Sequence, residues 1–515
     1  MSPQPRANAS GTTLVLLCSD LAPALDLDSV RTRLGAVAAV QIVDGLCSTP
    51  SAVATALRTA GTDRAVVGLC NSQTHTAALL ARARRAGAQP FGVLAVSLAA
   101  AARMPSAPAA TRTLAGAVAR LEALLPDEPG RAVIGRAPLT RAGLLSLPGA
   151  IAIDPVASPD RDACIGSRRC GLCIGACPHD AIALDGDAVR VETRRCTACG
   201  SCVSTCPTGA FHLAGAAPGQ IEAELDAILP AAVLAFRCRH ATTTMDELPA
   251  DWATIELPSL NLVTVGWILQ ALAGGANAVR LLPCDGACCS EVAGRAALGR
   301  TVLSNLGDGD ASWRVGTSGK ATTPRLVPLD RGSSATVLTE RTLLTEPHAT
   351  ADALARLGGL PNLTIVDPKS PLGEVSLDTT ACTVCGACTT VCPTKALELA
   401  ITADTFSLRY DPALCTGCTL CATVCPERAL SVQRALNGAQ LRAGAVELAS
   451  ATRSLCTRCS CELPNPGTAR RVQELLATHW RDLARVDGNL CSECARRPAS
   501  TATTTTSHAT DATTQ

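Results

Sequence analysis

The chain lacks the features that mark several common binding and catalytic classes. Its 45 Lys and Arg almost cancel its 44 Asp and Glu, leaving a formal charge of +1 over 515 residues. That balance provides no basic stripe for nucleic acid and no polybasic arm for a membrane surface. No segment approaches the roughly eighteen uninterrupted apolar residues of a membrane span. The longest candidate, Leu262 to Val279, is broken by Thr264, Gly266, Gln270, Gly274, Gly275 and Asn277 and reads as a buried helix. The opening MSPQPRANASGTTLVLLCSD has a brief apolar run with no small-residue cleavage site after it, so it reads as a first strand rather than a signal peptide. No G-x-G-x-x-G follows a strand, and no P-loop, Ser-His-Asp set or H-E-x-x-H is present, which leaves nucleotide and hydrolase chemistry without its usual residues. These absences predict a soluble, cytoplasmic protein with no nucleic-acid partner and no membrane span.

What the chain has is cysteine, 28 in all. A secreted disulfide scaffold is excluded by length, and most of the cysteines stand in metal-ligand runs that need a reducing compartment. Four runs end in Cys-Pro: Cys164, Cys170, Cys173, Cys177; Cys196, Cys199, Cys202, Cys206; Cys382, Cys385, Cys388, Cys392; and Cys415, Cys418, Cys421, Cys425. The last three obey C-x2-C-x2-C-x3-C-P, the bacterial ferredoxin pattern for cubane clusters, whose fourth cysteine ligates the neighbouring cluster. The first departs from it, with five residues between Cys164 and Cys170. The pattern therefore predicts four [4Fe–4S] clusters in two pairs. Cys164, Cys170 and Cys173 take Cys206, while Cys196, Cys199 and Cys202 take Cys177. Cys382, Cys385 and Cys388 take Cys425, and Cys415, Cys418 and Cys421 take Cys392. Gly171, Gly175, Gly200, Gly386 and Gly417 lack the Cβ that would keep backbone amides from the cluster sulfides.

Twelve cysteines remain. Near the C-terminus, Cys456-x2-Cys459 and Cys491-x2-Cys494 flank a helical stretch, Ala469–Ala477, in the form of a four-cysteine zinc ribbon; Cys461 leaves a further iron–sulfur cluster as the alternative. In the middle, Cys238 in FRCRH and Cys284, Cys288 and Cys289 in LPCDGACC follow expected strands, where open α/β sheets place ligands. Cys18, Cys47 and Cys70, with His75, follow strands of the N-terminal part; they hold another cluster or are structural thiols. His179 and His212 lie beside cluster runs as ordinary loop residues or tuning groups.

Two stretches carry a resemblance. AVLAFRCRH with IELPSLNLVTVGWILQALAGGANAVRLLPCDGACC resembles the iron–sulfur (delta) subunit of methyl-viologen-reducing hydrogenase. The likeness implies one [2Fe–2S] cluster on Cys238, Cys284 and one or both of Cys288 and Cys289, with ordinary reduced thiols as the other reading, and redox-enzyme partners: a hydrogenase, a formate dehydrogenase or a heterodisulfide-reductase-like complex. The chain departs from that family in having the single Cys238 where the family has a pair, and Pro258–Leu260 where it has its central cysteine. LLCSD, GLCSTP and VVGLCNSQTH resemble the N-terminal domain of the flavin-carrying subunit of heterodisulfide reductase, whose flavin-binding portion is absent here.

Hydrophobic rhythm completes the expected organisation, multidomain α/β plus α+β. We expect an α/β domain at 1–105, a helical linker at 106–150, a 2[4Fe–4S] ferredoxin domain at 151–216 and a delta-subunit-like α/β domain at 217–300. A linker at 301–370, loose but with a helix at Thr350–Leu357 and a strand at Leu363–Val366, a second ferredoxin domain at 371–440, the zinc-ribbon-like segment at 450–497 and a disordered tail at 498–515 follow. The expected function is electron transfer, as a relay subunit without its own bond-making chemistry. The alternatives are a thiol–disulfide reductase acting at Cys284, Cys288 and Cys289, and an iron–sulfur redox sensor.

Overall fold

The computed structural model describes residues 13–49, 51–70, 76–103, 107–124, 130–134, 151–166, 170–317, 346–357, 364–463, 465–479, 490, 491, 493 and 494. The expected tail, His75 and most of the opening segment lie outside them. Among the described residues no helix is long and apolar enough to cross a membrane.

Strands β1 (Leu14–Cys18), β2 (Ala39–Val43), β3 (Ala65–Leu69) and β4 (Val93–Ser97) form one parallel sheet in the order β2-β1-β3-β4. The unbroken apolar runs LVLLC and AVVGL are buried throughout, as strands covered on both faces must be. The helix Ala107–Glu122, expected as part of a connecting arm, instead buries Leu114, Ala117, Val118 and Leu121 in this core. It also packs on the helix Pro218–Ile228, where a Cβ at Gly116 would strike the Ile228 side chain at 2.5 Å. Arg120 locks that joint. It pairs with Glu224 at 3.1 Å, both nearly fully buried, and donates to the carbonyls of Gly215 and Glu256.

A short hairpin of β5 (Gly130–Ile134) and β6 (Ile151–Pro155) leads to the first cluster-run region. That region holds β7 (Ala157–Pro159), the hairpin β8 (Ile182–Asp185) with β9 (Ala188–Val191), and β10 (Phe211–Leu213), which closes on β7. A second parallel sheet follows: β11 (Val233–Cys238), β12 (Trp252–Leu257), β13 (Ala278–Leu282) and β14 (Val315–Gly316), ordered β12-β11-β13-β14. Its strand order repeats that of the first sheet. The helix Val265–Ala273 is buried along its whole length and stacks Trp267 on Phe236 at 6.5 Å.

The helix Glu346–Arg356, overlapping the one expected at 350–357, sinks Ala349, Thr350, Ala353 and Leu354 into the interior, and Ala353 and Leu354 join the core of the second sheet. The second cluster-run region comprises β15 (Thr364–Val366), β16 (Gly373–Leu377), β17 (Leu397–Ile401), β18 (Thr405–Tyr410), β19 (Leu430–Asn437) and β20 (Val446–Thr452), all paired antiparallel. Leu372 and Leu436 from this region join the core that holds Cys173, Cys196 and Cys202. One apolar body therefore binds both run regions and the second sheet.

Candidate metal centres

The four runs trace one backbone course. The residue after the second cysteine is left-handed in each: Gly171 (φ 87), Gly200 (φ 80), Gly386 (φ 76) and Thr419 (φ 66). So is the third residue past each Cys of the Cys-Pro pairs: Asp180, Gly209, Lys395 and Arg428. The first of these turns opens a single helical turn that carries the third cysteine inward. Cys173, Cys202, Cys388 and Cys421 are accordingly buried. Glycine is used here for a positive φ, and Thr419 shows that the turn forms without it at a cost of about 1–2 kcal/mol. Gly175, grouped with the others by sequence, has no such duty and faces open space. The non-glycine members of the set, Asp180, Lys395 and Arg428, have no composition signal that sequence reading would catch.

Neighbouring thiols show which cysteines the fold brings together. Burial, then the thiolates of Cys206, Cys170 and Cys164, push Cys173 up to about 11. Burial, then Cys196, Cys199 and Cys177, raise Cys202. Burial pushes Cys388 up to about 11, with Cys385, Cys382 and Cys425 adding to it. Cys421 is pushed up to about 12 by burial and then by Cys415, Cys418 and Cys392. The last cysteine of every run thus acts on the buried third cysteine of its partner run. Backbone amides already point at the sulfurs: Ala181 donates to Cys177 at 3.3 Å and Ala429 to Cys425 at 3.3 Å. The single tyrosine, Tyr410, donates to the Gly373 carbonyl at 2.9 Å beside Cys415. A Cβ on Gly373 would lie 2.4 Å from Gly417 and 2.9 Å from the Cys415 sulfur, so only glycine fits against that loop.

The two run regions face each other. Cys206, Pro207 and Thr208 of the first and Pro371, Thr416 and Arg434 of the second line one cavity of about 250 Å³. Burial raises the Cys170 thiol, and Cys418 of the other region contributes to the rise.

Three further thiol groups converge more tightly, each with its sulfurs within 4.8 Å of one another: Cys238 with Cys284, Cys288 and Cys289; Cys18 with Cys47 and Cys70; and Cys456 with Cys459, Cys461 and Cys491. Among the described residues, no three sulfurs of the Cys-Pro runs approach so closely. The first two groups occupy the same place in the two like-ordered sheets, at the ends of the first and third strands where strand order reverses. In the middle group, hydrogen bonds from Cys289 and its neighbours outweigh burial and hold Cys238 down at about 4. In the C-terminal group Cys461 stands among the expected four thiols. Cys461 joins the mutual set, while Cys494 stands just outside it and donates its amide to the Cys491 sulfur at 3.4 Å. The amide of Cys491 and other donors lower the Cys456 thiol to about 6. The expected helix between the knuckles runs over Pro466–His479, and Asn465 at its start donates to the Val384 carbonyl at 3.1 Å, next to Cys385.

The chemistry of the sixteen run thiols, soft donors held apart around buried centres, suits clusters of several atoms better than single ions. Among curated proteins none matches the chain. Residues 157–213 and residues 381–429 each match the family described as 4Fe-4S dicluster domain, so the chain carries two ferredoxin-type iron–sulfur domains.

Proposed function

We propose that the protein is an electron relay with four [4Fe–4S] clusters, working as a subunit of a larger redox complex. In this reading Cys164, Cys170, Cys173 and Cys206 hold one cluster and Cys196, Cys199, Cys202 and Cys177 the next. Cys382, Cys385, Cys388 and Cys425, and Cys415, Cys418, Cys421 and Cys392, hold the other two. The observation that carries it is the match of both run regions to the 4Fe-4S dicluster domain; the influence of each last cysteine on the third cysteine of its partner run supports the crossed ligand sets. When bound, each cluster supplies one-electron exchange. The chain supplies burial, amide donors to sulfur and the spacing between centres. The facing loops at Cys206 and Thr416 support passage from one module to the other.

The C-terminal thiols fit one zinc ion on Cys456, Cys459 and Cys491, with Cys461 and Cys494 as rival fourth ligands. The likeness of the region around 232–289 to the hydrogenase delta subunit favours a hydrogenase, a formate dehydrogenase or a heterodisulfide-reductase-like complex as the company. The rival reading, a reductase acting at Cys284, Cys288 and Cys289, needs a lowered thiol among those three; burial and neighbouring thiols instead push Cys288 up to about 12, and the Cys238 contact and burial raise Cys289.

Anaerobic purification from the native host, with iron, sulfide, zinc and flavin counted, tests the proposal. About sixteen irons from the cubanes, with a dehydrogenase or hydrogenase co-purifying, is the expected result. Colourless material without acid-labile sulfide would refute it.

A further inference from the structure

The hydrogenase likeness implies a [2Fe–2S] cluster on the middle thiols, and their spacing does not suit one. In such a cluster each iron takes two thiolates, so four sulfurs form two close pairs set apart by the iron–iron separation. Here no such division exists. The Cys238 sulfur is 3.6 Å from that of Cys284 and 3.7 Å from that of Cys288. Cys284 is 3.3 Å from Cys288 and 3.6 Å from Cys289, and every pair of the four lies within 4.8 Å. Four thiolates at about 2.3 Å from one tetrahedral ion stand about 3.8 Å apart. We propose that Cys238, Cys284, Cys288 and Cys289 form a tetrathiolate site for one thiophilic divalent cation, zinc or iron, in place of a two-iron cluster.

The surroundings agree. The amides of Cys284 and Gly286 donate to the sulfurs of Cys289 and Cys284 at 3.3 and 3.4 Å, offsetting the negative charge that four thiolates bring to one ion. Ser259, standing where the related family has its central cysteine, does not face the thiols. Its buried hydroxyl lies 2.9 Å from the Cys288 carbonyl and 2.7 Å from the Cys199 carbonyl, and it accepts from the Asn261 amide. Asn261 in turn donates to the Ala287 carbonyl at 3.0 Å. The ion therefore clasps the ends of β11 and β13, and Ser259 fastens that clasp to the Cys199 loop of the first dicluster domain.

The site stands on sulfur positions alone and does not depend on the relay reading. The test compares the full chain, purified without oxygen, with Cys284→Ala/Cys288→Ala by counting zinc, iron and sulfide per chain; Cys288→Ser serves as the milder variant. The expected difference is one metal equivalent and no sulfide, zinc marking a structural clasp and iron a rubredoxin-like centre. Loss of about two irons with two sulfides, or no loss of metal from either variant, overturns the inference. The iron and sulfide that remain in the variants report separately on the four cubanes.

Discussion

The Cys-Pro runs and the convergent thiol groups use the same ligand in opposite ways. In the runs, left-handed turns at Gly171, Gly200, Gly386 and Thr419 open the helical turns that bury the third cysteine, and among the described residues no three run sulfurs come within 4.8 Å of one another; in the proposed relay a cysteine from the partner run closes each set. In the groups at Cys238 and Cys456, strand ends and a knuckle bring sulfurs within 4.8 Å of one another, the scale of one ion. The difference follows from the size of what is held. A cluster of several atoms requires its ligands on a shell, whereas a single ion requires them at a point.

Breaking one run gives the largest expected effect. Cys206→Ala should remove the cluster of Cys164, Cys170 and Cys173 rather than that of its own run, lowering iron by about four per chain from about sixteen. Cys164→Ala should delete the same electron paramagnetic resonance signal, and deletion of two different signals would break the crossing arrangement. A destabilisation that removes no thiol separates folding from metal binding. Arg120→Leu leaves Glu224 buried without its partner and should cost about 3–5 kcal/mol in denaturant unfolding with iron content retained. Glu224→Gln should cost less, because the amide still accepts from Arg120. Burial raises the Glu224 carboxyl, so the protonated form is favoured in the folded state and the ionised form is penalised as pH rises through the raised value. The parent should therefore gain stability toward acid pH while Glu224→Gln stays flat, so the cost of Glu224→Gln should grow as pH falls.

Ser259→Ala addresses the place where the two kinds of site touch. It removes the hydroxyl from two buried carbonyls and should cost about 1–3 kcal/mol, leaving the metal count unchanged. The smallest effect compares the two modules directly. Arg428 (φ 50) is exposed and holds the left-handed position that Gly209 (φ 66) holds in the first module. Arg428→Gly should raise stability by about 1 kcal/mol in thermal unfolding, and no gain would mean that the arginine side chain offsets its strain.

Much of this is legible in the chain. The helices at 27–34, 51–60 and 265–273 fall where hydrophobic period places them, and the run spacing announces the cubane thiols. The helices at 107–122 and 346–356 overlap expected helices, but in stretches that read as linkers rather than as parts of a core. Their Ala-rich faces bury little per residue, and only the packing of Gly116 on Ile228 and of Ala353 and Leu354 in the large core shows their role. The place of Cys461 beside Cys456 is ambiguous for a similar reason, since knuckle spacing counts residues and not the path of the chain between them.

By itself the sequence determined which thiols stand together in cluster-binding runs, because ligands two or three residues apart are positioned by covalent geometry and a few backbone dihedrals. Only the tertiary structure decided how far Cys238 lies from Cys284 and Cys288, which are 46 and 50 residues away, and that the Cys206 and Thr416 loops face each other. Those distances depend on strand order and on the packing of separate cores, which no local spacing encodes.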